Sequence, residues 1–366
     1  MKKISSCNII KVKGGRKKYP VVIQLPITSK CNSHCVMCNI WHMQDQSDMV
    51  SVRDFSVFLK DPIFKEVHSV GINGGEPSMV SNLPDYVKEI LKLPKLRSLN
   101  IITNGFNNGD FLQNVEQIFN LCKKSDIKFH ISLSLDGYGE IHNLIRGRED
   151  AFEKTIITIN KIYSHKEKYC DNVDVGCTVS QQNVNNLIEL DTYCKMKKIK
   201  IKYRLAIANK RINNASILNN FCVISNPSQQ SAKEFFHRMM SKSTNFHDKF
   251  KYFALFYWLN NPKKKRLLGC SWKEEGITMD GNGNIFYCAV CSKNIGSLKY
   301  EKGETIFFSK QNINYRKEII RKECNDCIHD YEGMIELKYI LIYIKDIFIN
   351  KYSMKLFYLR CMTGFL

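Results

Sequence analysis

Cys31, Cys35 and Cys38 lie in the stretch SKCNSHCVMCNIW at a C-x3-C-x2-C spacing. The thiolate form of cysteine is both a nucleophile and a metal ligand. A zinc ion that only holds a fold together takes four protein ligands. Three clustered thiols therefore suggest a metal centre with one position left open. A partial zinc site, or unconnected cysteines, is the competing explanation. A second set lies far along the chain. Cys270 and Cys288 are spaced C-x17-C, and Cys324 and Cys327 follow as C-x2-C. A hairpin between the first two would bring them together, and the C-x2-C pair would close the other side. Cys291 is a fifth thiol near this set. It is an alternate ligand, a hydrogen donor near a substrate, or a bystander.

The chain has 366 residues, enough for one large core or two domains, and 15 of them are cysteines. No long apolar run follows the first lysines, and the cysteines cluster tightly. Metal ligation in a reduced cytoplasm is thus expected in place of secreted disulfides. The formal net charge is +20, with lysine and arginine concentrated at 11–18, 195–204 and 263–266. Such charge fits a solvated surface, an anionic substrate, an acidic electron-donor protein, nucleic acid or an anionic membrane. No helix-turn-helix or RNP-type pattern accompanies it, so no nucleic-acid partner is expected.

Short β-type runs must position these thiols. They recur at 21–25, 67–72, 98–102, 129–135, 173–179 and 201–207, with helical segments at 51–60, 83–92, 111–123, 151–163 and 186–197 between them. This alternation predicts an α/β fold with parallel strands, as a partial barrel or an open sheet. In the fourth run Phe129, Ile131, Leu133 and Leu135 alternate with His130, Ser132, Ser134 and Asp136. One face is apolar for packing on helices. The other is polar, which suits an open barrel holding a ligand better than a packed closed one. Residues 208–262 read as mostly helical, and TMDGNGNIFYC reads as a strand, a Gly/Asn turn and a second strand.

The C-x3-C-x2-C spacing, on a loop after a first strand, resembles the radical SAM superfamily. Further motifs follow in that family's order. NGGEP ends the second strand with Gly74, Gly75, Glu76 and Pro77, and ITNG ends the third with Thr103 and Asn104. SLSLDG carries Ser132, Ser134 and Asp136, and IHNLIRG carries Arg146. The resemblance covers roughly residues 20–207. It implies a [4Fe–4S] cluster held by Cys31, Cys35 and Cys38, with its open iron taken by the amino and carboxylate groups of S-adenosylmethionine. Gly74, Gly75, Glu76 and Pro77 correspond to the stretch that binds the methionine amino group. Thr103, Asn104 and Ser132 face the pocket. Ser134 resembles a ribose or carboxylate contact, and Arg146 a partner of the methionine carboxylate.

The C-terminal cysteines resemble the auxiliary-cluster domain of the SPASM/twitch branch. That likeness implies an auxiliary [4Fe–4S] cluster on Cys270, Cys288, Cys324 and Cys327. No further cysteines follow closely, which matches the single-cluster twitch form. A structural zinc site remains the competing occupant. The expected architecture is a partial (β/α)6 radical SAM barrel, then a small cysteine-rich β-hairpin/helix auxiliary-cluster domain and a C-terminal helix. Its divisions are a basic extension at 1–19, the barrel at 20–210, a helical linker region at 211–268, the auxiliary domain at 269–334 and a helical tail at 335–366.

The resemblance implies an oxidoreductase of dehydrogenase type. S-adenosylmethionine is cleaved to a 5′-deoxyadenosyl radical, the radical takes a substrate hydrogen, and the auxiliary cluster accepts the remaining electron. Asp136, Arg204 and Asp280 are candidates for taking the proton. A small polar metabolite such as a sugar or glycan intermediate is the expected substrate, with an acidic flavodoxin or ferredoxin as electron donor. The alternative is a peptide- or protein-modifying enzyme working with a separate recognition partner. In relatives that mature sulfatases, an acidic residue follows the second auxiliary ligand, whereas this chain has Ala289. The apolar stretch at 339–350 is too short and too charged to span a bilayer. It is expected to pack on the protein, with peripheral contact to an anionic membrane as the alternative.

Overall fold

Period-two alternation builds the strands of this protein. Its computed structural model describes residues 17–46, 49–223, 227–261, 263, 265–329 and 333–346. The expectations for the basic stretch up to residue 16 and for the tail from residue 347 fall outside these residues. Six strands, β1 (Val22–Thr28), β2 (Ser69–Gly74), β3 (Ser98–Thr103), β4 (Lys128–Ser134), β5 (Asn172–Val179) and β6 (Ile201–Leu205), pair in parallel in chain order. Parallel neighbours need crossovers. These are supplied by α1 (Val52–Leu59), α2 (Leu83–Ile90), α3 (Asn108–Lys124), α4 (Glu140–Arg146), α5 (Ala151–Ser164), α6 (Lys166–Tyr169) and α7 (Leu187–Met196).

Each strand sends one side chain in two to the helices. Phe129, Ile131 and Leu133 of β4, with Val175, Cys177 and Val179 of β5, are fully buried there. Each such side chain contributes about 1.5–3 kcal/mol when taken out of water. The other face carries Gln24, Ser69, Asn73, Asn100, His130, Ser132, Ser134, Asp174 and Thr178, and forms a polar lumen. β6 is the terminal strand at one edge of the sheet, next to β5. The barrel is therefore open along β6.

Beyond β6 the chain forms α8 (Ser228–Lys242) and α9 (Phe246–Asn260), packed on each other. Asn245 caps α9 by accepting from the Asp248 N–H. The cysteine-rich part contains α10 (Ser271–Glu275), β7 (Gly276–Met279), β8 (Asn284–Phe286), β9 (Gly296–Ser297), α11 (Gly303–Phe308) and α12 (Lys310–Lys322). Its hairpin joins the barrel's own sheet. β7 runs parallel to β1, with Val22 opposite Gly276, while β8 is antiparallel to β7. A final helical stretch covers 337–346. There Tyr343 is buried against Phe246, Phe250 and Phe253, as expected for a packed tail, while Leu337, Leu341 and Ile344 are exposed. Among the described residues no helix is long and apolar enough to cross a membrane. Cys122, Cys170, Cys177, Cys194 and Cys222 are buried, as free cysteines in a core usually are.

Candidate functional site

The first cysteine loop follows β1 and is fastened to the end of α4. A helix leaves its last carbonyls without partners in the helix. Here the His34 N–H donates to Arg146 O, the Val36 N–H to Ile145 O, and Ser33 Oγ to Arg146 O at 2.8 Å. Gly147 ends α4 in the left-handed region, with φ +64°, and a Cβ there would meet His34 O at 2.6 Å. The loop after β2 presses on the same segment. The Gly75 N–H donates to Thr28 O and the Glu76 N–H to Lys30 O. A Cβ on Gly75 would lie 2.1 Å from Lys30 O, so the NGG turn admits no side chain there.

Glu76 is buried and fully engaged. Its carboxylate accepts from Thr103 Oγ1 at 2.6 Å, the Asn104 N–H at 2.7 Å and the Ser78 N–H at 3.0 Å. Burial pushes its carboxyl above the ordinary range, and these donors partly offset that. Asn104 Nδ2 reaches Asn32 Oδ1 at 2.7 Å. Glu76, Thr103 and Asn104 thus tie the loops after β2 and β3 to the cysteine loop. Asp136 is fully buried. It accepts from the Thr178 N–H at 2.7 Å and forms an ion pair with Arg146 at 2.5 Å. Arg146 Nη1 is 3.6 Å from Cys35 Sγ. Ser132 donates to Asp174, and Ser134 faces the same lumen, half-buried.

Burial, followed by the charges of Glu76 and Cys35, pushes the Cys31 thiol up to about 12. Burial and Cys35 push Cys38 up to about 11, with Arg211 and Arg146 opposing. Crowded thiols of this kind are strained as thiolates until a cation joins them. A cationic iron–sulfur cluster would relieve that strain, so the donor set fits one. Among the described residues no three His, Cys, Asp or Glu groups converge on one ion. A four-iron cluster is wider than a single ion, so its thiolates need not meet at one point.

The second set lines one cavity together with Cys291, Arg266 and Arg316. The Val290 N–H donates to Cys288 Sγ and the His329 N–H to Cys327 Sγ, both at 3.4 Å. Cys291 is buried in a small cluster against which Cys288, Cys324 and Cys327 pack, a proximity that its position in the sequence left open. Cys324 is pushed up to about 12 by burial and by Cys270, Cys288 and Cys327. Arg266 donates to the carbonyls of Leu268, Gly269, Cys327 and His329. Arg316 lies over the Tyr287 ring, and its buried Nη2 has no hydrogen-bond partner. An orphaned guanidinium nitrogen beside a thiol-lined cavity is what an anionic tetrathiolate cluster would satisfy.

The segment after β6 connects the two sites. The Lys210 N–H donates to Val290 O, Asn214 Nδ2 to Met37 O, and Asn39 Nδ2 to Asn213 O. Asp280 begins the turn after β7, where the next N–H, that of Gly281, donates to Pro26 O of β1. Its carboxylate accepts from the Asn282 and Asn284 N–H groups and from Asn284 Nδ2, closing the β7–β8 turn. Arg204 faces the lumen from β6, opposite Thr178. Sequence reasoning missed Asn32, Ser33, Arg266 and Arg316. Only Asn32 and Ser33, inside the cysteine motif, had a local signal.

Residues 25–190 match the family model of the radical SAM superfamily, whose members use S-adenosylmethionine and a [4Fe–4S] cluster. The GTP 3′,8-cyclase of Campylobacter jejuni subsp. doylei is 25% identical over 186 residues, covering 50% of this chain and 54% of that enzyme. The sporulation killing factor maturation protein SkfB of Bacillus subtilis is 22% identical over 184 residues, covering 50% and 42%. The chain spans about half the length of the curated relatives it matches. Among solved structures, anSMEcpe with bound AdoMet superposes with a TM-score of 0.60 at 16% identity, over 91% of this chain and 97% of that one. Streptococcus suis SuiB bound to its precursor peptide SuiA gives 0.54 at 14% identity, over 82% and 67%. At these identities the two structures show a shared fold.

Proposed function

We propose that this chain is a radical SAM oxidoreductase of dehydrogenase type that removes two electrons from a polar substrate. In this reading Cys31, Cys35 and Cys38 hold the open-site cluster, and Cys270, Cys288, Cys324 and Cys327 hold an auxiliary one. When bound, these groups supply an adenosyl radical that takes a substrate hydrogen atom and an acceptor for the electron left behind. The remaining steps belong to the chain. Gly74 and Gly75 allow close backbone approach to the methionine end of S-adenosylmethionine. Arg146, beside Cys35, is the guanidinium for its carboxylate. Asp136 keeps Arg146 charged in its buried position, and the polar lumen orients substrate hydroxyls. The first electron comes from a reduced flavodoxin- or ferredoxin-type donor.

One observation carries this reading: three crowded thiols at the strand ends, with a buried guanidinium 3.6 Å from one of them. A small polar metabolite such as a sugar is the substrate favoured by the hydroxyl- and amide-lined lumen. A peptide is the second reading, and the fold likeness to SuiB bound to SuiA favours it. Anaerobic reconstitution followed by metal analysis tests the assignment. About eight irons per chain are expected, and about four in the Cys31→Ala/Cys35→Ala/Cys38→Ala variant. Zinc without iron in that variant would overturn the auxiliary-cluster assignment. Mass spectrometry of extracts incubated with the enzyme should then find a product two hydrogens lighter. If that product is a peptide, the sugar reading fails.

A further inference from the structure

The charges in the lumen do not balance. Asp174 is buried and engaged by Ser132 at 2.8 Å, Lys202 at 2.8 Å and His130 at 3.4 Å. Asp136 is taken by Arg146. Arg204 is left over. Among the described residues it has no hydrogen bond and no carboxylate within ion-pair distance. Its position is nevertheless specific. β5 carries Gly176 on the lumen face, and a Cβ there would meet Arg204 Nη2 at 3.0 Å and Ser132 Oγ at 3.9 Å. The guanidinium therefore lies across the one lumen position of β5 without a side chain, next to the Ser132 hydroxyl. Its strand neighbour Thr178 donates its N–H to Asp136, which holds the Arg146 beside Cys35. Arg204 is thus linked to the thiol site through Thr178, Asp136 and Arg146, and it lies on the open edge of the barrel. Further round the lumen Asn73 Oδ1 and Asn100 Oδ1 are buried without hydrogen-bond partners.

We propose that Arg204 binds an anionic group of the substrate, a carboxylate or a phosphate, across Gly176 and beside Ser132. This rests on the oxidoreductase reading above and adds a substrate class to it. A planar guanidinium with free donors matches two oxygens of either anion. The orphaned amide oxygens on the lumen wall accept hydrogen bonds from hydroxyl or amine groups on the rest of the molecule. The substrate is therefore a polar molecule with an acidic end at β6 and donor groups toward β2 and β3. In this arrangement Arg204 is a binding residue and takes no proton.

Phenylglyoxal, which modifies accessible guanidinium groups, tests this on the anaerobically reconstituted protein with peptide mapping by mass spectrometry. Arg204 should be labelled and buried Arg146 spared. Glucose 6-phosphate or glucuronate should slow labelling of Arg204 about tenfold or more, while glucose should not. Whichever of the two protects identifies the anion. In calorimetry, Arg204→Gln should weaken binding of the protecting probe about tenfold, and Arg204→Lys should recover part of it. Failure of both anions to protect, equal protection by glucose, or unchanged binding in Arg204→Gln overturns the proposal. Iron content of the same sample is read separately. Wild-type protein without iron would sink the oxidoreductase reading while the labelling result still decides the anion site.

Discussion

Replacing Asp136 by asparagine probes the buried ion pair that holds Arg146 beside Cys35. The two side chains are 1% and 13% exposed, and the contact is 2.5 Å. Asparagine can still accept the Thr178 N–H, but its amide would present hydrogens to the guanidinium. Removing one partner of a buried pair costs about 3–5 kcal/mol, because the other charge is left uncompensated. Removing both charges is close to neutral when the volume is filled. Asp136→Asn should therefore lower the anaerobic melting temperature by roughly 4–7 °C. Asp136→Asn/Arg146→Met should regain most of that loss, with a coupling of about 2 kcal/mol. The exposed pair of Asp85 and Lys88 is the control. Asp85→Asn should cost less than about 1 kcal/mol. An Asp136→Asn protein within about 1 kcal/mol of wild type, or a double variant no more stable than the single one, would refute the reasoning.

Three further outcomes follow from other parts of the structure. Glu76 has a carboxyl raised above 4.5 in the folded protein, chiefly by burial. Its contribution is fully present below the unfolded value and is lost as pH rises through the folded one. Wild type should therefore lose stability relative to Glu76→Gln as pH rises above about 4.5, and parallel pH profiles would contradict this. Gly75→Ala places a Cβ 2.1 Å from Lys30 O, and neither backbone can yield without moving the cysteine loop. Iron per chain should fall by about half, and full iron content would show that the loop adapts. Tyr343 meets Phe253 at a ring separation of 4.9 Å. Tyr343→Ala should cost about 3 kcal/mol in thermal unfolding, and a cost below about 1 kcal/mol would mean that the 337–346 helix is not anchored there.

The strands were legible because each one alternates, and the structure keeps their edges within a few residues. β4 spans Lys128–Ser134 against an expected 129–135. The thiol sets were legible because their spacing is local. What escaped the sequence is non-local or only weakly patterned. α12 buries only Ile319, so its polar surface gave no apolar stripe to read. The docking of β7 alongside β1 joins segments about 250 residues apart, and nothing in either strand names its partner. Arg204 could be placed on the lumen face by alternation. Its lack of a carboxylate partner needed the side chains of β4 and β5. The depth of Glu76 was equally hidden, since its motif suggests ligand contact while its carboxylate holds the loops after β2 and β3 together.

Formation of 5′-deoxyadenosine, measured by liquid chromatography after anaerobic incubation with S-adenosylmethionine and dithionite, tests the radical chemistry most directly. Wild type should form it, Cys35→Ala should form none, and Cys324→Ala should continue to cleave S-adenosylmethionine without yielding the oxidised product. Absence of 5′-deoxyadenosine from iron-loaded wild type would contradict the radical chemistry. Equal loss of cleavage in the Cys35 and Cys324 variants would contradict the division of labour between the two thiol sites.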